Sequence, residues 1–125
     1  MLRIFKVKPF TRFAEKENIA DDSLCKVIKE LEEGKIDAKL GNGLYKQRLA
    51  RTNQGKSTGY RCIIVYKHDN FAFFLYGFSK SNKENLSPDE LTEYKKAAGI
   101  FLNISKEQIE AMISSNRLTE IIISS

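Results

Sequence analysis

The stretch GYRCIIVYKHDNFAFFLYGFSK, residues 59–80, is two runs of β-branched and aromatic residues on either side of Asp69-Asn70. Such residues favour the pleated, half-buried surface of a sheet, and a polar dipeptide between two runs marks a hairpin. The pattern predicts strands over 59–68 and 71–79 joined by a two-residue turn at Asp69-Asn70. Cys62–Tyr66 and Phe71–Phe78 are apolar on both faces, as central strands are. Upstream, segments 36–40 and 44–51 have the same character, with Thr52–Thr58 as a longer polar hairpin loop.

Outside this sheet the period becomes helical. Residues 10–18 place Phe10, Phe13 and Ala14 on one stripe, and residues 23–33 place Leu24, Val27, Ile28 and Leu31 at the spacing of an amphipathic helix. Asp21, Asp22 or Ser23 is the expected cap of the second helix and Gly34 its stop. Leu2–Val7 alternates apolar and basic residues, as a short strand does. Downstream, Ser87-Pro88-Asp89-Glu90 combines an N-cap Ser, a Pro at the first helical position and a capping-box Glu. That helix should run to about Phe101, with Leu91, Ala98 and Phe101 inward. Ser105 and Gln108 repeat the device for a short helix bearing Ile109, Met112 and Ile113. Leu118–Ile123 reads as either a last strand or a tail. The expected architecture is α+β: an N-terminal helix hairpin packed on a small antiparallel β-sheet, with one or two C-terminal helices, as one domain over residues 1–125.

With 125 residues, 42% of them hydrophobic and 30% charged, the chain is long enough to bury a core without disulfides. No apolar run approaches a membrane span, and the first residues lack the apolar core of a secretory signal, so a cytoplasmic protein without membrane contact is expected. Cys25 and Cys62 lie inside apolar patterns, as buried free thiols do. The net charge of +5 is unevenly distributed. Residues 1–37 balance eight basic against eight acidic side chains, and residues 84–125 carry four against seven. Residues 38–83 carry nine basic side chains against Asp69 alone. So concentrated a charge fits two readings equally from charge alone: a polyanion-binding face, or basic residues that blunt exposed strand edges.

Several chemistries are excluded by what is missing. Gly55-Lys56-Ser57 ends like a phosphate-binding loop, yet Ala50 stands where its first glycine belongs and no strand–loop–helix unit surrounds it. His68 has no second histidine or nearby glutamate for acid–base work. Two cysteines and one histidine do not build a usual zinc site, and the absence of carboxylates between Asp37 and Asp69 leaves a magnesium-dependent nuclease without ligands there. Neither a metal nor a cofactor is expected.

Strand geometry then gathers the cations. The Asp69-Asn70 turn sets Arg61 opposite Phe78 and Gly59 opposite Lys80. A loop centred near Gln54-Gly55 sets Arg48 opposite Arg61 and Lys46 opposite Ile63. Opposed residues and i, i+2 neighbours share a face, so Lys46, Arg48, Arg61, Phe78 and Lys80 converge, with Lys56 in the loop at the same end. His68 lies about 23 Å away along the strand. Like charges so placed repel by about 0.2–1 kcal/mol per opposed pair, an arrangement favoured when an anion occupies the site. Arginine grips phosphate with a planar fork, and a ring such as that of Phe78 offers a base a stacking surface. A crowded lysine can serve as base toward a ribose 2′-hydroxyl while the arginines stabilise the phosphorane.

The segments Gly43-Leu44-Tyr45-Lys46-Gln47-Arg48-Leu49, Gly55-Lys56-Ser57-Thr58-Gly59-Tyr60-Arg61 and Phe78-Ser79-Lys80, with Lys83-Glu84-Asn85-Leu86-Ser87 after them, resemble the RelE/HigB-like toxins of bacterial type II toxin–antitoxin modules, in the RelE/ParE superfamily. The resemblance runs over about residues 1–102. It implies the same helix hairpin on an antiparallel sheet, and a ribosome-dependent mRNA endonuclease (an mRNA interferase) that inhibits translation and is held inactive by a cognate antitoxin, expected to be a helix-turn-helix protein. The family's Lys-x-Lys pair is matched by Lys46-Gln47-Arg48, its arginine after Gly-Tyr by Arg61, and its basic residue after the next strand by Lys80. The lysine-to-arginine change at Arg48 leaves Lys46 the better base. These four are the expected catalytic residues, with Lys56, Phe78 and Lys83 as RNA contacts. Tyr94 lies roughly where RelE itself uses a C-terminal tyrosine, but the connection is longer and the role is not carried over. Two other readings share the fold: a ParE-like gyrase-inhibiting toxin, and an RNA- or ribosome-binding domain without catalysis.

Overall fold

The computed structural model of the protein describes residues 2–50, 59–83 and 85–122. Six strands, β1 (Arg3–Val7), β2 (Ala38–Gly41), β3 (Leu44–Leu49), β4 (Tyr60–Lys67), β5 (Phe71–Ser79) and β6 (Leu118–Ile121), form one sheet in the order β2-β3-β4-β5-β1-β6. All neighbours are antiparallel except β1 and β5, which run parallel. Among the described residues four helices accompany it: α1 (Lys8–Lys16), α2 (Asp21–Glu32), α3 (Pro88–Leu102) and α4 (Lys106–Ser114). The α+β architecture is the expected one.

The sheet order sets β2 at the edge far from β1, and β6 beyond β1 from β5, so the chain crosses a face on the way to each, and the two crossings use opposite faces. Helices α1 and α2 cross one face, where Phe10, Ala14, Leu24, Val27, Ile28 and Leu31 pack on Cys62, Ile64 and Phe74. Helices α3 and α4 cross the other, where Ala98 and Ile109 join Phe5, Leu44, Ile63, Val65 and Phe73. Burial on both sides is why β4 and β5 read as apolar throughout.

The local signals hold with small shifts. Helix α1 starts at Lys8, directly after β1, with a proline in its first turn. Helix α2 starts at Asp21 behind Ala20, which makes no side-chain cap; Asp21 and Asp22 act in the first turn, where carboxylates favour the helix dipole. Both capping boxes, Ser87 with Glu90 and Ser105 with Gln108, are formed. The C-terminal segment is a strand. β6 pairs with β1, and Arg3 clamps it through two 2.9 Å hydrogen bonds to the two carboxylate oxygens of Glu120. Both cysteines are free thiols; Cys62 is buried, but Cys25 is only partly so.

One difference has consequences for the site. The turn between β4 and β5 holds three residues, His68–Asn70, with Asp69 in the left-handed region at φ 58°. Near the turn, Lys67 therefore pairs with Phe71 and Val65 with Phe73. Continued unbroken, that register sets Arg61 opposite Gly77. A β-bulge intervenes: Ile64 pairs with Phe74 but Ile63 pairs with Tyr76, so Leu75 is the extra residue. Beyond it the side-chain alternation of β5 is reversed. Tyr76 and Phe78 move to the α3 face. Gly77 moves to the α1 face, where a Cβ would lie 2.4 Å from the Phe13 ring.

Candidate functional site

The bulge restores the expected register where it matters: Arg61 stands opposite Phe78 on one side and Arg48 on the other, and Lys46 stands opposite Ile63. The Lys80 N–H donates to the Gly59 carbonyl at 3.1 Å, extending the ladder by one step and placing exposed Lys80 beyond Phe78. Lys46, Arg48, Arg61, Phe78 and Lys80 thus occupy one end of one sheet face. Lys56 and the Thr52–Thr58 loop lie outside the described residues.

The side chains differ in presentation. Arg61 is 8% exposed, and its Nη1 donates to the Tyr60 carbonyl at 3.3 Å. Arg48 is exposed at the outer side of β3, its Nε 3.6 Å from Asp37 Oδ1. Lys46 Nζ donates to Asn85 Oδ1 at 3.0 Å, so the segment leading into α3 reaches over the end of the cluster. Lys83 is not an unpaired cation. Its Nζ lies 2.6 Å from Glu90 Oε1, the carboxylate that also accepts the Ser87 N–H of the capping box. Each partner stabilises the other's charge: Glu90 raises the lysine pKa, and Lys83 first, then the Ser87 N–H, lower that of the glutamate.

Phe78 is on the expected face but is 5% exposed, packed in the core under α3. A ring so covered offers no surface for base stacking. The partly exposed aromatics beside the cations are instead Tyr76 and Tyr94, stacked with centroids 5.3 Å apart and planes 20° from parallel. Burial, then the charges of Tyr76 and Glu90, push the Tyr94 phenol up to about 12, so it keeps its proton at neutral pH. The sequence signal for Tyr76 was its alternation with Phe78; only the bulge puts both on this face.

Outside the cluster, Lys67 sits at the other end of β4, its Nζ 5.8 Å from the Phe71 ring centroid. His68 is in the distant turn beside Asp69. Among the described residues no three His, Cys, Asp or Glu side chains gather as metal ligands, and no helix is long and apolar enough to cross a membrane. A groove of about 480 Å³ lies between α2 and the end of β3, lined by Lys26, Val27, Lys29, Glu30, Arg48 and Leu49 among others. Its mixed charges make it a poorer polyanion site than the sheet face.

The family model for the RelE toxin of the RelE / RelB toxin–antitoxin system matches residues 2–121 of this chain. No curated protein and no solved structure matches it.

Proposed function

The chain belongs to the RelE toxin family, and so is a toxin that has an antitoxin as partner; from that premise we propose that it is a metal-free, ribosome-dependent mRNA endonuclease. The observation that carries this reading is the register of three strands: Arg48 opposite Arg61, Arg61 opposite Phe78, with Lys46 and Lys80 two residues along on the same face.

In this reading Lys46, Arg48, Arg61 and Lys80 are the catalytic residues. Lys46 takes the proton of a ribose 2′-hydroxyl. The 2′-oxygen bonds to the adjacent phosphorus, and the phosphorus–5′-oxygen bond breaks. The products are a 2′,3′-cyclic phosphate and a 5′-hydroxyl, the leaving oxygen taking its proton from the Lys80 ammonium. Arg48 and Arg61 bear the charge that accumulates on the phosphorane, where donors fixed in advance are most effective. Lys56 and Lys83 contribute phosphate contacts, with Lys83 free to do so once it leaves Glu90. Base stacking falls to the Tyr76–Tyr94 pair in place of Phe78. Residues 1–125 act as one domain, in the cytoplasm, on message held by the ribosome, and a helix-turn-helix antitoxin keeps the toxin silent.

Primer extension on translated message, after brief expression of the toxin, tests this. Discrete cuts within codons of the ribosomal A site are expected. Intact message with double-strand DNA breaks overturns the nuclease in favour of gyrase inhibition. Blocked translation with both nucleic acids intact overturns it in favour of a binding module without catalysis.

A further inference from the structure

Arg48 and Arg61 face each other across β3 and β4. Two guanidinium groups so placed repel, and an exposed one swings away unless something fixes it. The local structure around Arg48 supplies a fixing device, and it starts on the opposite face of the sheet.

Gln47, the residue between the two expected catalytic cations of β3, is 2% exposed. Both ends of its amide are engaged: Nε2 donates to the Lys35 carbonyl at 3.0 Å, and Oε1 accepts the Asp37 N–H at 2.8 Å. One buried side chain thus grips the backbone on both sides of Ile36. A buried amide with both ends satisfied fixes geometry, because leaving either end unmet is costly.

That grip sets Asp37 just ahead of β2, where the ladder to β3 stops at the pair Ala38 and Lys46. Beyond it, the Arg48 N–H is accepted by the Asp37 carboxylate, through Oδ2 at 2.7 Å, where a strand would offer a carbonyl. The second carboxylate oxygen, Oδ1, lies 3.6 Å from Arg48 Nε. A side chain that merely ended the strand needs only the first contact. The second is an ion pair to the guanidinium at Nε, which leaves the terminal fork, the part suited to phosphate, available for a second anion. Asp37 is also the last carboxylate before a run to Asp69 that holds none.

We propose that Asp37 is a positioning residue: seated by Gln47, it holds the Arg48 backbone and Nε together and so aims the terminal guanidinium nitrogens at the scissile phosphate. The inference rests on the nuclease reading for its target, but the Asp37–Arg48 link is measurable without it.

Asp37→Asn keeps an oxygen for the Arg48 N–H and removes the charge that holds Nε. On ribosome-bound message, kcat is expected to fall about ten-fold, as for other partners that orient an active-site group, with half-saturation and Tm unchanged. In an Arg48→Ala background the same substitution is expected to add nothing, because its effect passes through Arg48. The ¹⁵N heteronuclear NOE of Arg48 Nε in the free protein is expected to report a rigid group in the wild type and a mobile one in Asp37→Asn. A mobile Arg48 Nε in the wild type overturns the proposal, as does an undiminished loss from Asp37→Asn when Arg48 is already alanine. Message left intact by wild-type protein overturns the nuclease reading and with it the aim at phosphate. The NOE then decides by itself whether Asp37 fixes Arg48.

Discussion

Arg61 and Lys67 stand on the same strand and the same face, about 20 Å apart at ~3.3 Å per residue, and their surroundings are opposite. Around Lys67 the face is apolar and roofed. Val65, Phe71 and Phe73 pack beneath the C-terminal half of α3, with the Phe73 and Phe101 centroids 4.5 Å apart, and Lys67 itself lies exposed at the margin. Around Arg61 the face is mixed: Phe78 and Arg61 are buried, at 5% and 8% exposure, while Arg48 and Lys80 are exposed and Lys46 reaches Asn85, just ahead of the capped N-terminus of α3 at Ser87. The same strand pair therefore carries an almost wholly apolar face at one end and a cation-rich one at the other.

The largest test of this contrast is Arg61→Ala. Losing a fixed donor of this kind typically lowers the chemical step by on the order of 100-fold. Growth arrest is expected to vanish and A-site cuts to disappear from primer extension, while circular dichroism shows a folded protein. Unchanged toxicity at equal expression removes the contrast.

Gly77→Ala probes the other face of the sheet on the neighbouring strand, β5. A Cβ 2.4 Å from the Phe13 ring forces repacking of α1, and overpacking of this kind costs about 1–3 kcal/mol. A lower urea midpoint is expected, with cleavage per folded molecule preserved. An unshifted midpoint contradicts the reversed alternation beyond Leu75.

Tyr94 sits at the border between the two ends, and its pH dependence marks that border. Its folded pKa is about 12, above the ~10 of an unfolded tyrosine, so the fold favours the protonated phenol. The resulting stability is complete below about pH 10 and is lost as pH rises toward 12. Denaturant unfolding between these values is expected to show a shallower fall for Tyr94→Phe than for wild type. Equal slopes place Tyr94 in water.

The smallest effect is expected at Lys67→Ala, an exposed substitution outside the cluster. Cleavage and growth arrest should stay within about two-fold of wild type. A loss comparable to that at Arg61 denies the two ends their difference.

Much of this was legible in the chain. Apolar period and capping signals located nine of the ten elements among the described residues, with Ser87/Glu90 and Ser105/Gln108 marking two helix starts, because these signals act within a few residues. β6 was not decidable, since four residues become a strand only through β1 and the Arg3–Glu120 clamp, more than 100 positions away in sequence. The facing of Arg61 and Phe78 followed from counting across a two-residue turn. The molecule reaches it with a three-residue turn and a compensating bulge, two departures of one residue each that cancel.

What the sequence alone determined was periodicity and charge: which segments alternate, which helices are capped, and that nine cations fall in a segment with one acid. Those are local or additive properties, carried by each residue wherever the chain goes. The tertiary structure decided presentation. It buried Phe78 under α3, brought Tyr94 onto Tyr76, paired Lys83 with Glu90, and set Asp37 against Arg48 through Gln47. Each depends on how far a helix extends over a sheet, or on one inserted residue that reverses alternation, and no local preference specifies either.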